Sequence, residues 1–253
     1  MKKFLVFILI LAVAAGVGYY WWQQNSHRII TQQVRRLASR FFVNPQSLSV
    51  ENSAVKMRGL RDAHVGRLVI SGKELQLRDG PVLASARLVL TDLDVTGPPF
   101  HLTHVGGGNY EAQVSDAAVT EYLHARGGSM AGVKIVPLST VTVKFLPGEE
   151  ATARLSGEAV IPLIDKRVPV IADGTLVPAA DAGRVDFNVS RVNVTGLSFP
   201  ASALKKSFGI VNPLVDLSGW PVAVKVGSIN TVTGMATVKG HITGAADSLL
   251  KSF

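Results

Sequence analysis

The sequence predicts a mainly β (α+β) fold in which a long, strongly twisted antiparallel sheet curls around amphipathic helices, preceded by one N-terminal transmembrane helix. Three observations lead to this prediction. After Gln46, apolar and polar residues alternate with a period of two over several long segments, and turn-forming residues separate these segments. Only a few stretches have helical spacing, and an uncharged apolar run lies close to the N-terminus. These features are typical of antiparallel strands behind a membrane segment.

The alternating segments predict strands with one dry face and one solvated face. In the clearest ones, apolar positions alternate with polar neighbours: Leu75 and Leu77; Val141, Val143 and Phe145; and Val185, Phe187 and Val189. Two longer runs, Pro81 to Val95 and Pro221 to Thr243, extend the pattern, and the second should turn between Asn230 and Gly234. Long strands twist and curl, so the sheet is expected to form a gutter.

Turn signals separate the predicted strands. Gly, Pro, Asn and Asp mark turns because they supply unusual or fixed backbone angles. The expected turns are at Asp79-Gly80, Gly106 to Asn109, Pro147-Gly148, Asp173-Gly174 and Asp181 to Gly183.

Three helices are predicted beside the strands. From Arg28 to Phe42, apolar residues recur at spacings of three and four, and Pro45 ends the pattern. Ser115 is a good N-cap for a helix from Asp116 to Arg126, and Ser202 for one from Ala203 to Phe208. So little helix should leave part of the dry face of a large sheet uncovered.

The N-terminus divides the chain into residues 1–24, a membrane anchor or signal segment, and residues 25–253, one exported β domain. Lys2 and Lys3 precede an uncharged run from Phe4 to Trp22. At about 1.5 Å per residue this run spans roughly 30 Å of hydrocarbon. The lysines predict a cytoplasmic N-terminus and an extracytoplasmic or periplasmic domain. Ala12-Val13-Ala14 also fits a signal peptidase site, although the aromatic cluster at residues 19–22 favours a retained single-pass anchor.

Composition narrows the classes of partner. The chain is 47% hydrophobic and 17% charged, so it can bury a core, and it contains no cysteine, which excludes disulfides, thiolate zinc sites and a cysteine nucleophile. Its net charge of +8 favours anionic surfaces, here anionic phospholipid headgroups. Scattered basic residues without a recognition motif do not favour nucleic acid. No protein partner is indicated.

Four stretches resemble the LmeA-like phospholipid-binding family: AVKMRGLRDAHVGRLVISGKELQLRDG at 54–80, ARLVLTDLDVTG at 86–97, SDAAVTEYL at 115–123 and NPLVDLSGWPVAVKVGSINTVTGMATVKGHITG at 212–244. With the tethered N-terminus, the resemblance covers nearly the whole exported domain. It implies a phospholipid-binding envelope protein with a fold similar to tubular lipid-binding proteins, in which a long helix lies in a curled sheet.

Catalytic and metal-binding patterns are not found, so we predict no enzyme, cofactor or metal. His101 and His104 have near metal-ligand spacing but no carboxylate close by in sequence, which favours a polar loop. Asp92 and Asp94 share one face of a predicted strand, where a solvated strand edge explains them better than acid-base catalysis. The chain has no P-loop, G-x-S-x-G or G-x-G-x-x-G motif.

Two function hypotheses follow. In the first, the domain holds phospholipid acyl chains between helix and curled sheet, possible uses being lipid transfer or cell-envelope maintenance. In the second, a self-filled core serves a non-catalytic structural or interaction role in the envelope. The residues predicted to line the acyl-chain groove are Ile30, Val34, Leu37, Phe41, Val119, Tyr122, Leu123, Leu204 and Phe208. Those predicted to contact headgroups and membrane are Arg28, Arg35, Arg36 and Arg40, which otherwise form a solvated helix face.

Overall fold

A computed structural model of the 253-residue chain describes residues 28, 31–32, 35–36, 39, 42–58, 62–78, 80–96, 101–126, 129–130, 136–161, 166–179, 183–194, 197–200, 212, 214–216 and 224–242. This part is mainly antiparallel β structure, as predicted. The predicted membrane segment Phe4 to Trp22 and the predicted helix Ala203 to Phe208 lie outside it. Within these ranges, no helix has the length and hydropathy to cross a bilayer.

The described residues contain helix α1, two 3-10 turns and fourteen strands. Helix α1 spans Asp116–Arg126, and single 3-10 turns cover Pro45–Ser47 and Leu138–Thr140. The strands are β1 Ser49–Met57, β2 Asp62–Gln76, β3 Val82–Thr96, β4 His101–Ser115, β5 Ser129–Met130, β6 Val136–Pro137, β7 Thr142–Leu146, β8 Thr152–Ile161, β9 Lys166–Pro178, β10 Arg184–Val194, β11 Leu197–Pro200, β12 Val215–Asp216, β13 Val224–Val232 and β14 Met235–Ile242.

Two large sheets replace the single sheet that the sequence suggested. Sheet A has the order β1-β2-β3-β4-β14-β13, and sheet B has the order β11-β10-β9-β8-β7, with β12 also pairing with β10. β5 and β6 form a separate small hairpin. Strands β2, β3 and β4 have 15 residues each, longer than the common range of about 3–10. The predicted long strands near Pro81 and Pro221, and the turn between Asn230 and Gly234, are confirmed.

The chain path links the two sheets around one core. It builds β1 to β4, crosses through α1 to sheet B, and returns as the β13–β14 hairpin beside β4. Strand β13 contacts β7, β9 and β10 of sheet B. The buried Thr231 side chain on β13 donates a hydrogen bond to the Leu146 carbonyl and accepts one from the Thr152 amide. Apolar residues of both sheets and α1 therefore form one continuous hydrophobic cluster.

The alternating segments bury the residues that the pattern predicts. Leu75, Leu77 and the apolar residues of the segments at 141–145 and 185–189 are all in the core. In β2 and β3, however, the buried positions change between odd and even numbers. Glu74 and Asp92 have positive φ values of 52° and 57°, which turn the backbone at these points. Leu90 and Leu93, three residues apart around Asp92, can then both point inward.

Two predicted turns and one predicted loop are wrong. The predicted turn from Gly106 to Asn109 lies inside β4, and the predicted turn at Asp173-Gly174 lies inside β9. The predicted polar loop at His101 and His104 is also part of β4, which begins at His101. These glycines allow close packing instead. A Cβ on Gly106 would lie 2.6 Å from the Asp92 Cβ, and one on Gly174 would lie 2.8 Å from the Phe187 ring. The turns at Gly80, Pro147-Gly148 and Gly183 are confirmed.

Candidate functional site

Helix α1 begins where its sequence predicts. The Ser115 hydroxyl accepts a hydrogen bond from the Ala118 amide at 3.1 Å, and the Asp116 carboxylate accepts one from the Ala117 amide at 2.7 Å. Both contacts satisfy amides that the helix cannot pair internally, and a carboxylate in the first turn complements the helix dipole. Ser115 is therefore confirmed as the N-cap.

One side of α1 closes the free edge of sheet B. The Thr120 hydroxyl accepts a hydrogen bond from the Val143 amide of β7 at 2.9 Å, and His124 Nε2 lies 2.8 Å from the Val141 carbonyl. Beside them, Val119 and Leu123 are 1% and 0% exposed and belong to the core. The helix is thus fixed to β7, and an edge strand is protected from further pairing.

A different face of α1 borders a cavity of about 490 Å³. The helix contributes Ala118, Tyr122 and Ala125, whose spacing of three and four residues puts them on one face. The β2–β3 turn supplies the opposite wall, with Leu77, Gly80, Pro81 and Val82. This volume is within the range of about 300–1,000 Å³ found for small-molecule pockets.

Charged and polar side chains complete the lining: Gln76, Arg78, Glu121 and Arg126. All four are exposed, whereas Leu77 is buried. The lining of the cavity therefore combines apolar side chains with exposed ionic groups. This combination suits an amphipathic ligand.

The cavity lies directly beside the N-terminal part of the described residues. Arg78 donates hydrogen bonds from Nε and Nη2 to the Ser39 carbonyl at 3.0 and 2.8 Å. Phe42 pairs with Leu77, and the Val43 amide donates to the Gln76 carbonyl. The residues that lead toward the predicted membrane segment are consequently joined to one wall of the cavity.

The predicted groove residues do not all meet at this cavity. Tyr122, which is half-buried, lines it, whereas Val119 and Leu123 lie in the core. Ile30, Val34, Leu37, Phe41, Leu204 and Phe208 lie outside the described residues. Ala118 and Ala125 were missed by the sequence reasoning, although their spacing with Tyr122 and their small side chains could have identified this face.

The predicted headgroup arginines differ in environment. Arg28 and Arg36 are exposed, and both have helical backbone geometry. Arg35 is half-buried and donates a hydrogen bond from Nη2 to the Leu48 carbonyl at 3.2 Å, so it is attached to the start of β1. Arg40 lies outside the described residues.

Comparisons with protein families, curated proteins and solved structures give no match for this chain.

A second group of ionisable residues lies on sheet A. His64 Nδ1 is 3.0 Å from the Asp94 carboxylate and 3.6 Å from Asp92, and Arg58 is 3.0 Å from Asp94. The hydrogen bond with His64 lowers the pKa of Asp94 from 3.8, against an opposing effect of burial, and Arg58 lowers it further. His104 lies 3.9 Å from Asp92, so the two carboxylates are surrounded by two histidines and Arg58. Among the residues with described positions, no three His, Asp or Glu side chains are grouped to hold a metal ion.

Proposed function

We propose that this chain is an envelope-exposed, membrane-tethered phospholipid-binding protein that holds acyl chains between helix and sheet. The observation that carries the proposal is the cavity beside α1, whose lining combines apolar side chains with exposed ionic groups and whose wall is hydrogen-bonded through Arg78 to Ser39. The resemblance to the LmeA-like family supports the same function.

The apolar lining gives an acyl chain a reason to enter. Each CH2 group removed from water contributes about 0.8 kcal/mol. Leu77, Val82 and the two alanines of α1 offer apolar contacts without a polar group that would need a partner. Tyr122 supplies an apolar ring and a hydroxyl, which suits the boundary between acyl chain and headgroup.

The exposed ionic groups give the headgroup a partner. Arg78 and Arg126 can each donate charge-assisted hydrogen bonds to a phosphate, and anionic lipids should therefore be preferred. Arg28 and Arg36 are exposed on the helical segment toward the N-terminus, where they would meet the same anionic surface.

The proposal includes the N-terminal membrane anchor and the first helix that the sequence predicts. The membrane anchor at Phe4 to Trp22 would hold the domain at the outer face of a membrane with the N-terminus in the cytoplasm. The helix from Arg28 to Phe42 would lie within the curvature of sheet A and extend the acyl-chain groove. The protein would act without catalysis, cofactor or nucleic acid.

A structural or interaction role in the cell envelope is the second candidate. The specific observation in its favour is the full burial of Val119 and Leu123 within one continuous core, which is what a self-filled domain would have. In that case the cavity beside α1 would stay free of lipid.

A cavity-filling variant separates the two candidates. Ala118→Phe puts an aromatic ring into the cavity, and Ala117→Phe, one residue earlier on the exposed side of the same helix, is the matched control. Native mass spectrometry of the full-length chain, released from neutral detergent, would measure co-purified phospholipid, and thermal unfolding would report stability.

We expect the unaltered protein and Ala117→Phe to carry phospholipid and Ala118→Phe to lose most of it while remaining folded. A wild-type protein that carries no phospholipid would favour the structural role. Equal lipid content in both variants would remove the cavity from the proposal.

A further inference from the structure

A second concave site lies on the face of sheet A that points away from the core. It is a groove of about 700 Å³ that crosses β2, β3, β4, β14 and β13. Its side chains are mainly polar and basic, in contrast to the mixed lining of the cavity beside α1. The two sites share no lining residue.

The strand register fixes the layout of this groove. Residues paired across antiparallel strands point to the same face, so Val89 and its partner Asn109 form the central row of the groove, and Val69, the partner of Val89 on β2, is buried beside this row. Arg67 lies two residues before Val69 on β2, and Arg87 lies two residues before Val89 on β3. Because the strands run in opposite directions, the two arginines flank the central row on opposite sides. Strand geometry puts their Cα atoms roughly 14 Å apart.

The charges of the groove are unequal. Lys239 forms an ion pair of 3.3 Å with Glu111, its neighbour across the sheet, so these two charges offset each other. Arg67 and Arg87 are exposed, and neither forms an ion pair with a residue that the structure describes. The exposed His241 lies beside Asn109 and adds a polar ring to the lining.

A glycine on β13 leaves the backbone accessible at one side of the groove. The pairing of β13 with β14 shifts its register between Val226 and Ser228, which places Gly227 at an irregularity. The exposed Gly227 lines the groove without a side chain, so ligand atoms can approach the backbone there, whereas Gly240 is buried and a side chain on it would point toward the Tyr110 ring. The exposed Ser228 hydroxyl and the Asn109 amide add neutral hydrogen-bond donors.

We propose that this groove binds a soluble, extended phosphate-bearing anion, such as a condensed phosphate or a phosphate ester. Two exposed guanidinium groups on either side of the central row match a ligand with negative charge toward both ends. Guanidinium groups bind phosphate oxygens through paired hydrogen bonds. A concave groove on a sheet face accommodates a separate molecule better than the flat surface of a bilayer. This site is independent of phospholipid binding beside α1.

Inorganic tripolyphosphate is a suitable probe because it has extended negative charge and no apolar part. Isothermal titration calorimetry would use the full-length chain in nanodiscs of neutral phosphatidylcholine, with Arg67→Gln, Arg87→Gln and the double variant. Arg191→Gln is the matched control, because Arg191 is also exposed but lies on β10 of sheet B. Co-sedimentation with phosphatidylglycerol vesicles would measure binding to phosphate in a membrane.

We expect each groove variant to weaken tripolyphosphate binding about tenfold, the double variant to abolish it, and Arg191→Gln to leave it unchanged. The groove variants should bind the vesicles as well as the unaltered protein does. Tripolyphosphate binding that is absent, or equal in all variants, would overturn the proposal. So would loss of vesicle binding alone in the groove variants, since the phosphate recognised would then belong to lipid.

Discussion

Replacing Thr120 tests whether one hydroxyl group holds α1 against sheet B. Its hydroxyl accepts a hydrogen bond from the Val143 amide at 2.9 Å and donates one to the Asp116 carbonyl at 2.8 Å. In Thr120→Val the side-chain shape is kept, but the Val143 amide loses its partner beside a side chain that is 1% exposed. A buried backbone N–H without a partner costs about 1–3 kcal/mol, so we expect the free energy of unfolding to fall by that amount.

Thr120→Ser is the matched control. Serine keeps both hydrogen bonds and removes one methyl group, which is worth at most about 0.8 kcal/mol. The helix propensities of Thr, Val and Ser are similar, so the difference between the two variants reports mainly the hydrogen bonds.

Urea unfolding of the full-length chain in neutral detergent, followed by circular dichroism, would give the free energies. Hydrogen exchange at the Val143 amide would locate the effect, since this proton should exchange faster in Thr120→Val and remain protected in Thr120→Ser. A Thr120→Val variant within about 0.5 kcal/mol of the unaltered protein, with an equally protected amide, would refute the reasoning.

Two further predictions concern the inner face of sheet A, where Tyr110 pairs with Gly240. In Gly240→Ala the new Cβ would meet the Lys225 carbonyl and lie 2.6 Å from the Tyr110 ring, so unfolding in urea should show a loss of about 1–3 kcal/mol. Gly107→Ala, with Thr91 Oγ1 at 3.8 Å, should change stability little, and equal effects would contradict this account. Burial raises the pKa of Tyr110 from 10.0 to about 12, so its stabilising contribution is complete below pH 10 and is lost as pH rises toward 12. Absorbance at the phenolate band should show a late-titrating component that is lost in Tyr110→Phe, and an unchanged titration curve in that variant would show that Tyr110 is solvated.

The sequence was sufficient where burial follows a local period. Val141, Val143 and Phe145 are buried because strand side chains alternate between faces whatever the partner strand is. The N-cap at Ser115 is equally local, since the hydroxyl and the amide it accepts from are three residues apart. Such features need no knowledge of the tertiary structure.

Positions whose role depends on a partner strand were not predictable. Glycine favours turns on average. Gly106 and Gly174 nevertheless lie in strands, at positions where a neighbouring side chain occupies the space that a Cβ would need. The faces of α1 pose the same problem. Val119, Tyr122 and Leu123 lie on adjacent parts of one helical surface. Val119 and Leu123 pack into the core and Tyr122 borders the cavity, a difference that depends on the elements packed against the helix.

The division into two sheets changes the basis of the lipid proposal. The sequence predicts a broad apolar sheet face with too little helix to cover it, so acyl chains were expected to cover the remainder. In the structure, β13 reaches sheet B, α1 closes the edge at β7, and apolar residues of both sheets share one cluster. Because the sheets cover each other there, a shortage of helix no longer requires a lipid to fill the core. The proposal depends instead on the cavity between α1 and the β2–β3 turn, where small residues leave space that neither sheet fills. Ala118→Phe fills that space, and because Ala118 also packs against the core cluster, its bound lipid must be compared together with its thermal stability. Loss of lipid without loss of stability, relative to Ala117→Phe, distinguishes a ligand site from a gap at the surface.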